Sequence, residues 1–188
     1  MGETVRIDAK AIVTPLAVDT AQERRLRIER VSVPPPKSSE GRPTRIALGA
    51  DHGGFEMKED LKKLIRELGF EITDLGTNST NVVDYPDYAQ AVSLAVARGS
   101  CDLGIMIDGA GIGSCMVANK VPGIRAAMCY DEASARNSRE HNGANVLTLG
   151  GKMISFDKAR EIVRVWLSTE LTEERHRKRV AKIDAMLT

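Results

Sequence analysis

Nine residues combine an acid with a turn built for close backbone approach: Met106-Ile107-Asp108-Gly109-Ala110-Gly111-Ile112-Gly113-Ser114. The apolar run Leu103 to Ile107 reads as a buried strand that ends in a lone carboxylate. Glycines at alternate positions follow, and then a helix start. Such a turn lets backbone N–H groups approach an anion at a helix N-terminus. It also puts Asp108 at the carboxyl end of a strand, where open α/β sheets bind ligands.

Further groups with chemical potential occupy corresponding turns. Asp51-His52-Gly53-Gly54 follows an apolar run, so an acid and an imidazole project from a second strand end; the structural alternative is a helix cap and a surface histidine. Tyr85, in Asp84-Tyr85-Pro86, either lines the same crevice with its hydroxyl or packs as an aromatic. His141 and Asn142 end a helix. His141 is either a cap that suits the helix dipole or an acid/base group near neutrality. Asn142 is either a turn residue or a donor to a ligand oxygen. Lys152 follows Gly150-Gly151 at another strand end. Arg175 and Arg179 stand four apart, so they share a helix face and suit a phosphate, although a solvated basic face has the same pattern.

Alternating elements must position these groups. Arg45–Ala50, Glu71–Leu75, Leu103–Ile107, Ile124–Cys129 and Val146–Leu149 read as strands. Between them, apolar residues recur at helical spacing: Met57, Leu61, Leu64, Ile65 and Leu68, then Tyr88, Ala91, Val92, Ala95 and Val96. A helix runs from the glycine turn to about Lys120, another from Asp131 to Glu140, and a third carries Ile162, Val163, Val165, Trp166 and Leu167. The tail from Thr172 forms a basic helix. Repeated βα units with right-handed crossovers give a parallel sheet covered on both faces. The expected fold is α/β, a Rossmann-like (flavodoxin-like) three-layer sandwich with a five-stranded parallel sheet and an N-terminal extension. The boundaries are an extension at 1–31 with a short helix over Thr14–Leu26, a Pro/Ser/Gly linker at 32–43, and one domain at 44–188.

Composition narrows the function classes. Over 188 residues the formal net charge is +1 and aromatic residues make up 4%. Neither a nucleic-acid surface nor base stacking is suggested. No run of about 18 apolar residues is available to span a bilayer, and the N-terminus lacks a secretory apolar core. The three cysteines, Cys101, Cys115 and Cys129, form no C-x-x-C pair, which disfavours a disulfide framework and fits the cytoplasm.

Taken together, Gly49-Ala50-Asp51-His52-Gly53-Gly54, Asp84-Tyr85-Pro86, Gly109 to Gly113 with Ala118-Asn119-Lys120, Gly123-Ile124-Arg125-Ala126, Ser138-Arg139-Glu140-His141-Asn142, and Arg175-His176 with Arg179 resemble the ribose-5-phosphate isomerase B and galactose-6-phosphate isomerase family. The resemblance spans Thr44 to about Leu187. It implies aldose–ketose isomerisation of a phosphorylated sugar through a cis-enediolate, with no metal or other cofactor, in a homodimer or dimer of dimers whose sites are shared between chains. By position, Asp51 and His52 would bind sugar hydroxyls, with Tyr85 beside them. His141 would help open the ring, and Asn142 would bind oxygens near C1. The backbone of Gly109, Ala110, Gly111 and Gly113 would stabilise the enediolate, and Lys152, Arg175 and Arg179 would hold the phosphate.

The chain departs from that pattern at the base. One branch of the family keeps a cysteine where Asp108 stands, and another a glutamate where Ser114 stands. Asp108 is therefore expected to replace the cysteine as base, with Ser114, His141 and Asp51 completing the catalytic set; Cys115 is the alternative base. Ribose 5-phosphate is the expected substrate. The alternatives are galactose 6-phosphate or allose 6-phosphate, or a non-catalytic subunit needing a paralogue. Residues 14–19 resemble terminal segments of proteins of bacterial microcompartments, so contact with a shell or its cargo is a further expectation.

Overall fold

A computed structural model describes residues 4–8, 21–31 and 44–187. The chain divides into two compact units, Met1–Pro36 and Lys37–Thr188. In the first, β1 (Thr4–Asp8) and β2 (Arg27–Val31) pair in parallel, Thr4 beside Arg27 and Asp8 beside Val31. This pairing adds a strand pair to the expected short helix, of which residues 21–23 are described and helical. The signal for β1 was the alternation Thr4-Val5-Arg6-Ile7-Asp8, apolar at every second position. Residues 14–19, on which the shell contact rests, lie outside the described residues.

The second unit alternates strand and helix as expected. Its strands are β3 (Arg45–Ala50), β4 (Glu71–Asp74), β5 (Leu103–Asp108), β6 (Ala126–Met128) and β7 (Val146–Gly150). Its helices are α1 (Phe55–Glu67), α2 (Tyr85–Ala97), α3 (Ile112–Ala118), α4 (Glu132–Glu140), α5 (Phe156–Ser168) and α6 (Glu174–Asp184). All five strands are parallel, in the order β4-β3-β5-β7-β6. The last two strands are exchanged relative to the flavodoxin order, a detail that hydrophobic periodicity does not encode. The fourth strand is shorter than its apolar run suggested, because Ile124 closes a turn on Val121 before pairing begins.

Both faces of the sheet are covered, so every residue of β5 and β7 is buried, as parallel strands between helix layers require. On one face Ile46, Leu48, Ile105 and Leu147 pack with Met57, Leu61 and Ile65 of α1 and Ile162, Val163 and Trp166 of α5. On the other, Ala47, Met106 and Val146 meet Ala89 and Val92 of α2 and Ala118 of α3. Central strands β3 and β5 run in register, Ala50 beside Ile107. Their carboxyl ends flank the point where the chain order reverses, which is where such sheets open a ligand crevice.

Candidate active site

Asp108 closes β5 and is 4% exposed. Its Oδ1 accepts the amides of Ala110 (2.8 Å) and Gly111, and its Oδ2 accepts the amide of Ser114 (3.0 Å) and the Ser114 hydroxyl. A carboxylate offers about four lone-pair directions, and four donors fill them. The two positions where the resembled branches keep a base are therefore bonded to each other. The glycine turn does bind an anion, but the anion is the chain's own side chain. This corrects the expectation that the Ala110 and Gly111 amides serve an enediolate: the carboxylate nearest to them has taken them. Asp108 offers no open lone pair to a substrate proton, and Ser114 is fully buried.

The loop conformation also depends on its glycines. Gly111 lies at φ +80°, and a side chain there would stand 2.9 Å from the Leu149 carbonyl carbon, so an L residue is strained there. At Gly113 a Cβ would stand 2.6 Å from the ring of Tyr85. Tyr85 thus packs against the start of α3, as its packing reading expects, while remaining 38% exposed. Two supports escaped the sequence reading. The Tyr130 hydroxyl donates to Ala110 O (3.0 Å), and the Thr148 hydroxyl donates to Gly111 O (2.8 Å). The available signal for Tyr130 was a lone aromatic hydroxyl just past the end of an apolar run.

Beside this loop, at the tip of β3, Asp51 is 6% exposed. Its Oδ1 accepts the amides of Gly53 (2.8 Å) and Gly54 (3.0 Å). Burial pushes its carboxyl above the usual range; the Gly54 and Gly53 amides and His52 pull it down, and the charge of Asp108 pushes it further up. His52 holds its Nδ1 3.2 Å from Val83 O and 3.3 Å from Val83 N, with the tautomer deciding which of these bonds forms. Lys152 is exposed on the turn after β7 and anchors it to the glycine loop through its amide, which donates to Gly109 O (3.1 Å).

The remaining candidates group at the end of α4 and on α6. His141 caps α4, its amide donating to Asn137 O, and its ring stacks on that of His176 at 4.3 Å between centroids. His176 is 3% exposed and its Nε2 has no hydrogen-bond partner among the described residues, with Glu173 Oε2 at 3.7 Å. Burial and the neighbouring cations lower its imidazole. Asn142 is exposed and bonds Asn137 at 3.4 Å. Arg175 and Arg179 lie on the solvent face of α6, with Arg175 paired to Glu173. Cys115 is turned toward β6, its thiol donating to Ala126 O (3.5 Å), and burial raises it; it does not supply a ready thiolate. Cys101 and Cys129 are buried and free.

An acid, an imidazole and a glycine loop at the tips of adjacent parallel strands define an α/β enzyme with its site at the topological switch point. The comparisons with known proteins give the class more sharply. Residues 46–183 match the model of the Ribose/Galactose Isomerase family. Ribose-5-phosphate isomerase B of Escherichia coli (strain K12) is 44% identical over 142 residues, 76% of this chain and 95% of that protein. D-erythrulose-4-phosphate isomerase of Pectobacterium atrosepticum is 40% identical over 127 residues, 66% of this chain and 83% of that protein. The structure of ribose-5-phosphate isomerase B of Clostridium thermocellum superposes with a TM-score of 0.74 at 45% identity, covering 76% of this chain and 97% of that one. The chain belongs to the Ribose/Galactose Isomerase family. It is a sugar-phosphate isomerase, an enzyme that interconverts aldoses and ketoses.

Proposed function

We propose that the chain interconverts ribose 5-phosphate and ribulose 5-phosphate through a cis-enediolate. The observation that carries the reading is the crevice between β3 and β5, where Asp51 and His52 stand beside the glycine loop, in a chain 44% identical to a ribose-5-phosphate isomerase B. In this reading His141 opens the furanose ring by general acid–base transfer, Asn142 binds oxygens near C1, and His52 binds a sugar hydroxyl. Lys152, Arg175 and Arg179 hold the phosphate. Because Arg175 and Arg179 face solvent on α6, the arginines would serve the crevice of a second copy, in a homodimer or dimer of dimers. Exposed Ile112 and Met116 on α3 offer apolar surface beside the site for that association. Three free cysteines suit a reducing cytoplasm.

A four-carbon reading has its own support in the relative that isomerises D-erythrulose 4-phosphate. Purified full-length chain is assayed on aldose phosphates of four, five and six carbons, including galactose 6-phosphate and allose 6-phosphate. The highest kcat/KM is expected with ribose 5-phosphate, and a higher value with another sugar replaces the assignment. Inactivity on the whole panel returns the subunit reading, in which a paralogue supplies the missing group. Shell contact through residues 14–19 is a separate proposal, supported by their resemblance and the Pro-rich tether. Deleting residues 1–41 is expected to preserve turnover and abolish co-purification with shell protein; unchanged co-purification refutes it.

A further inference from the structure

We infer that Asp51 is the carboxylate that moves the proton between C1 and C2, and that Asp108 acts on it as a positioning residue; this rests on the isomerase reading above. The two acids stand across adjacent strand tips. The Asp51 amide donates to Ile107 O (3.2 Å), tying the end of β3 to the residue before Asp108. A Cβ placed at Gly53 would meet Gly109 Cα at 3.2 Å and Asp51 Oδ1 at 3.3 Å, so the Asp51 turn lies directly against the loop that Asp108 organises.

Their oxygens differ in what they have left to offer. All four lone-pair directions of Asp108 meet donors. At Asp51, Oδ1 holds the turn through Gly53 and Gly54, while Oδ2 accepts no hydrogen bond among the described residues. The fully sealed, unpartnered side-chain atoms among the described residues are Asp60 Oδ2, Trp166 Nε1 and His176 Nε2; Asp51 Oδ2 keeps a small exposed area, in a residue that is 6% exposed. One carboxylate has its acceptor positions filled and its neighbour keeps one unfilled, a separation of roles by which paired acids divide acid–base work. The charged groups that act on Asp51 are His52 on its own turn and Asp108 from β5; Lys152, from the β7 turn, lies against Gly109 of the glycine loop. Lys58, on α1, is engaged with Asp74 (2.7 Å) and Glu59 (2.9 Å). Burial and the Asp108 charge both raise the proton affinity of Asp51, in the direction a base working near neutrality needs.

The step balances within the substrate. Asp51 Oδ2 takes the C2 proton of the opened aldose; the C2–H pair becomes the C1–C2 double bond, and the carbonyl pair moves onto O1. Asp51 then returns the proton to C1, and the proton on O2 passes to O1 as the C2 carbonyl forms. No oxidant or co-reactant is needed.

Asp51→Asn keeps Oδ1 and with it the Gly53–Gly54 turn, so a purely structural role predicts little loss. As the base, its removal is expected to lower kcat by about 10²- to 10⁴-fold with little change in KM, and to stop incorporation of solvent deuterium at the carbon that receives the proton. A folded Asp51→Asn enzyme within tenfold of wild-type kcat overturns the inference. In parallel, Asp108→Asn is expected to move the acid limb of the kcat/KM profile to lower pH, since a neighbouring negative charge is gone; an unmoved limb overturns the role of Asp108, and this measurement decides if Asp51→Asn does not fold. Wild-type protein that isomerises no sugar phosphate on the panel overturns Asp51 as a base in this chain acting alone and returns the subunit reading, a result distinct from either variant's.

Discussion

Replacing Asp108 with alanine tests whether this residue holds the glycine loop together. The change deletes the acceptor for four hydrogen bonds and orphans three amides, those of Ala110, Gly111 and Ser114. Ala110 is half-buried and can regain water, whereas Gly111 and Ser114 are buried. A buried donor left without a partner costs about 1–3 kcal/mol, so two of them give a loss of roughly 2–6 kcal/mol, with relief of repulsion at Asp51 acting against it. At about 2–4 °C per kcal/mol for a domain of this size, a loss near 4 kcal/mol lowers Tm by roughly 8–16 °C. Asp108→Asn keeps the acceptor for Ala110 and Gly111 and should fall about midway. The assay is urea unfolding of wild type and both variants at pH 7.5, with calorimetry as a second measure. Destabilisation by alanine of less than about 1 kcal/mol, or an asparagine variant no better than alanine, would refute the view that Asp108 supports the loop.

Three further outcomes follow from contacts elsewhere. Gly113→Ala drives a methyl into the Tyr85 ring and is expected to cost about 1–3 kcal/mol as overpacking, with Tyr85→Ala recovering most of it; no recovery in a double-mutant cycle means the two do not collide. Arg139 lies buried over Trp166 at 4.9 Å and donates to Ala144 O and Thr169 O, so Arg139→Ala should lose about 2–4 kcal/mol, and a Tm unchanged from wild type would exclude that anchoring. His176 has a lowered folded pKa: above pH 6.5 both states are neutral and its contribution is complete, and as pH falls the unfolded chain protonates first, so stability drops. His176→Phe should therefore narrow the stability difference between pH 7.5 and 5.5, in urea titrations that would show an undiminished difference if His141, Glu173, Arg175 and Arg179 dominate instead.

The fold was legible because periodicity is local. Helical spacing in Met57, Leu61 and Ile65 and the unbroken apolar run Leu103 to Ile107 each specify which surface must be buried, and five such units leave a parallel sheet as the only economical cover. The exchange of β6 and β7 was not legible, since both strands are apolar and either order buries them. The β1–β2 pair was not legible either: Thr4–Asp8 alternates, but Arg27-Ile28-Glu29-Arg30-Val31 carries its apolar residues three apart, which is no strand pattern.

The site shows the sharper limit. Residue types and spacing placed an acid beside an anion cradle and implied that both face a substrate, because a sequence lists donors and acceptors without saying which meet. Once the chain folds, the nearest acceptor to the Ala110, Gly111 and Ser114 amides is Asp108 itself, two to six residues away, and an internal carboxylate holds them at an effective concentration no free ligand matches. A chain with a thiol at this position would leave those amides without that acceptor. The substitution thus changes two things together: it removes a nucleophilic group and fills the cradle with a hydrogen-bonded carboxylate. That carboxylate lies against the neighbouring strand tip, where Asp51 Oδ2 accepts no hydrogen bond among the described residues, and this is why the proposed proton transfer sits one strand over from where motif position alone would put it.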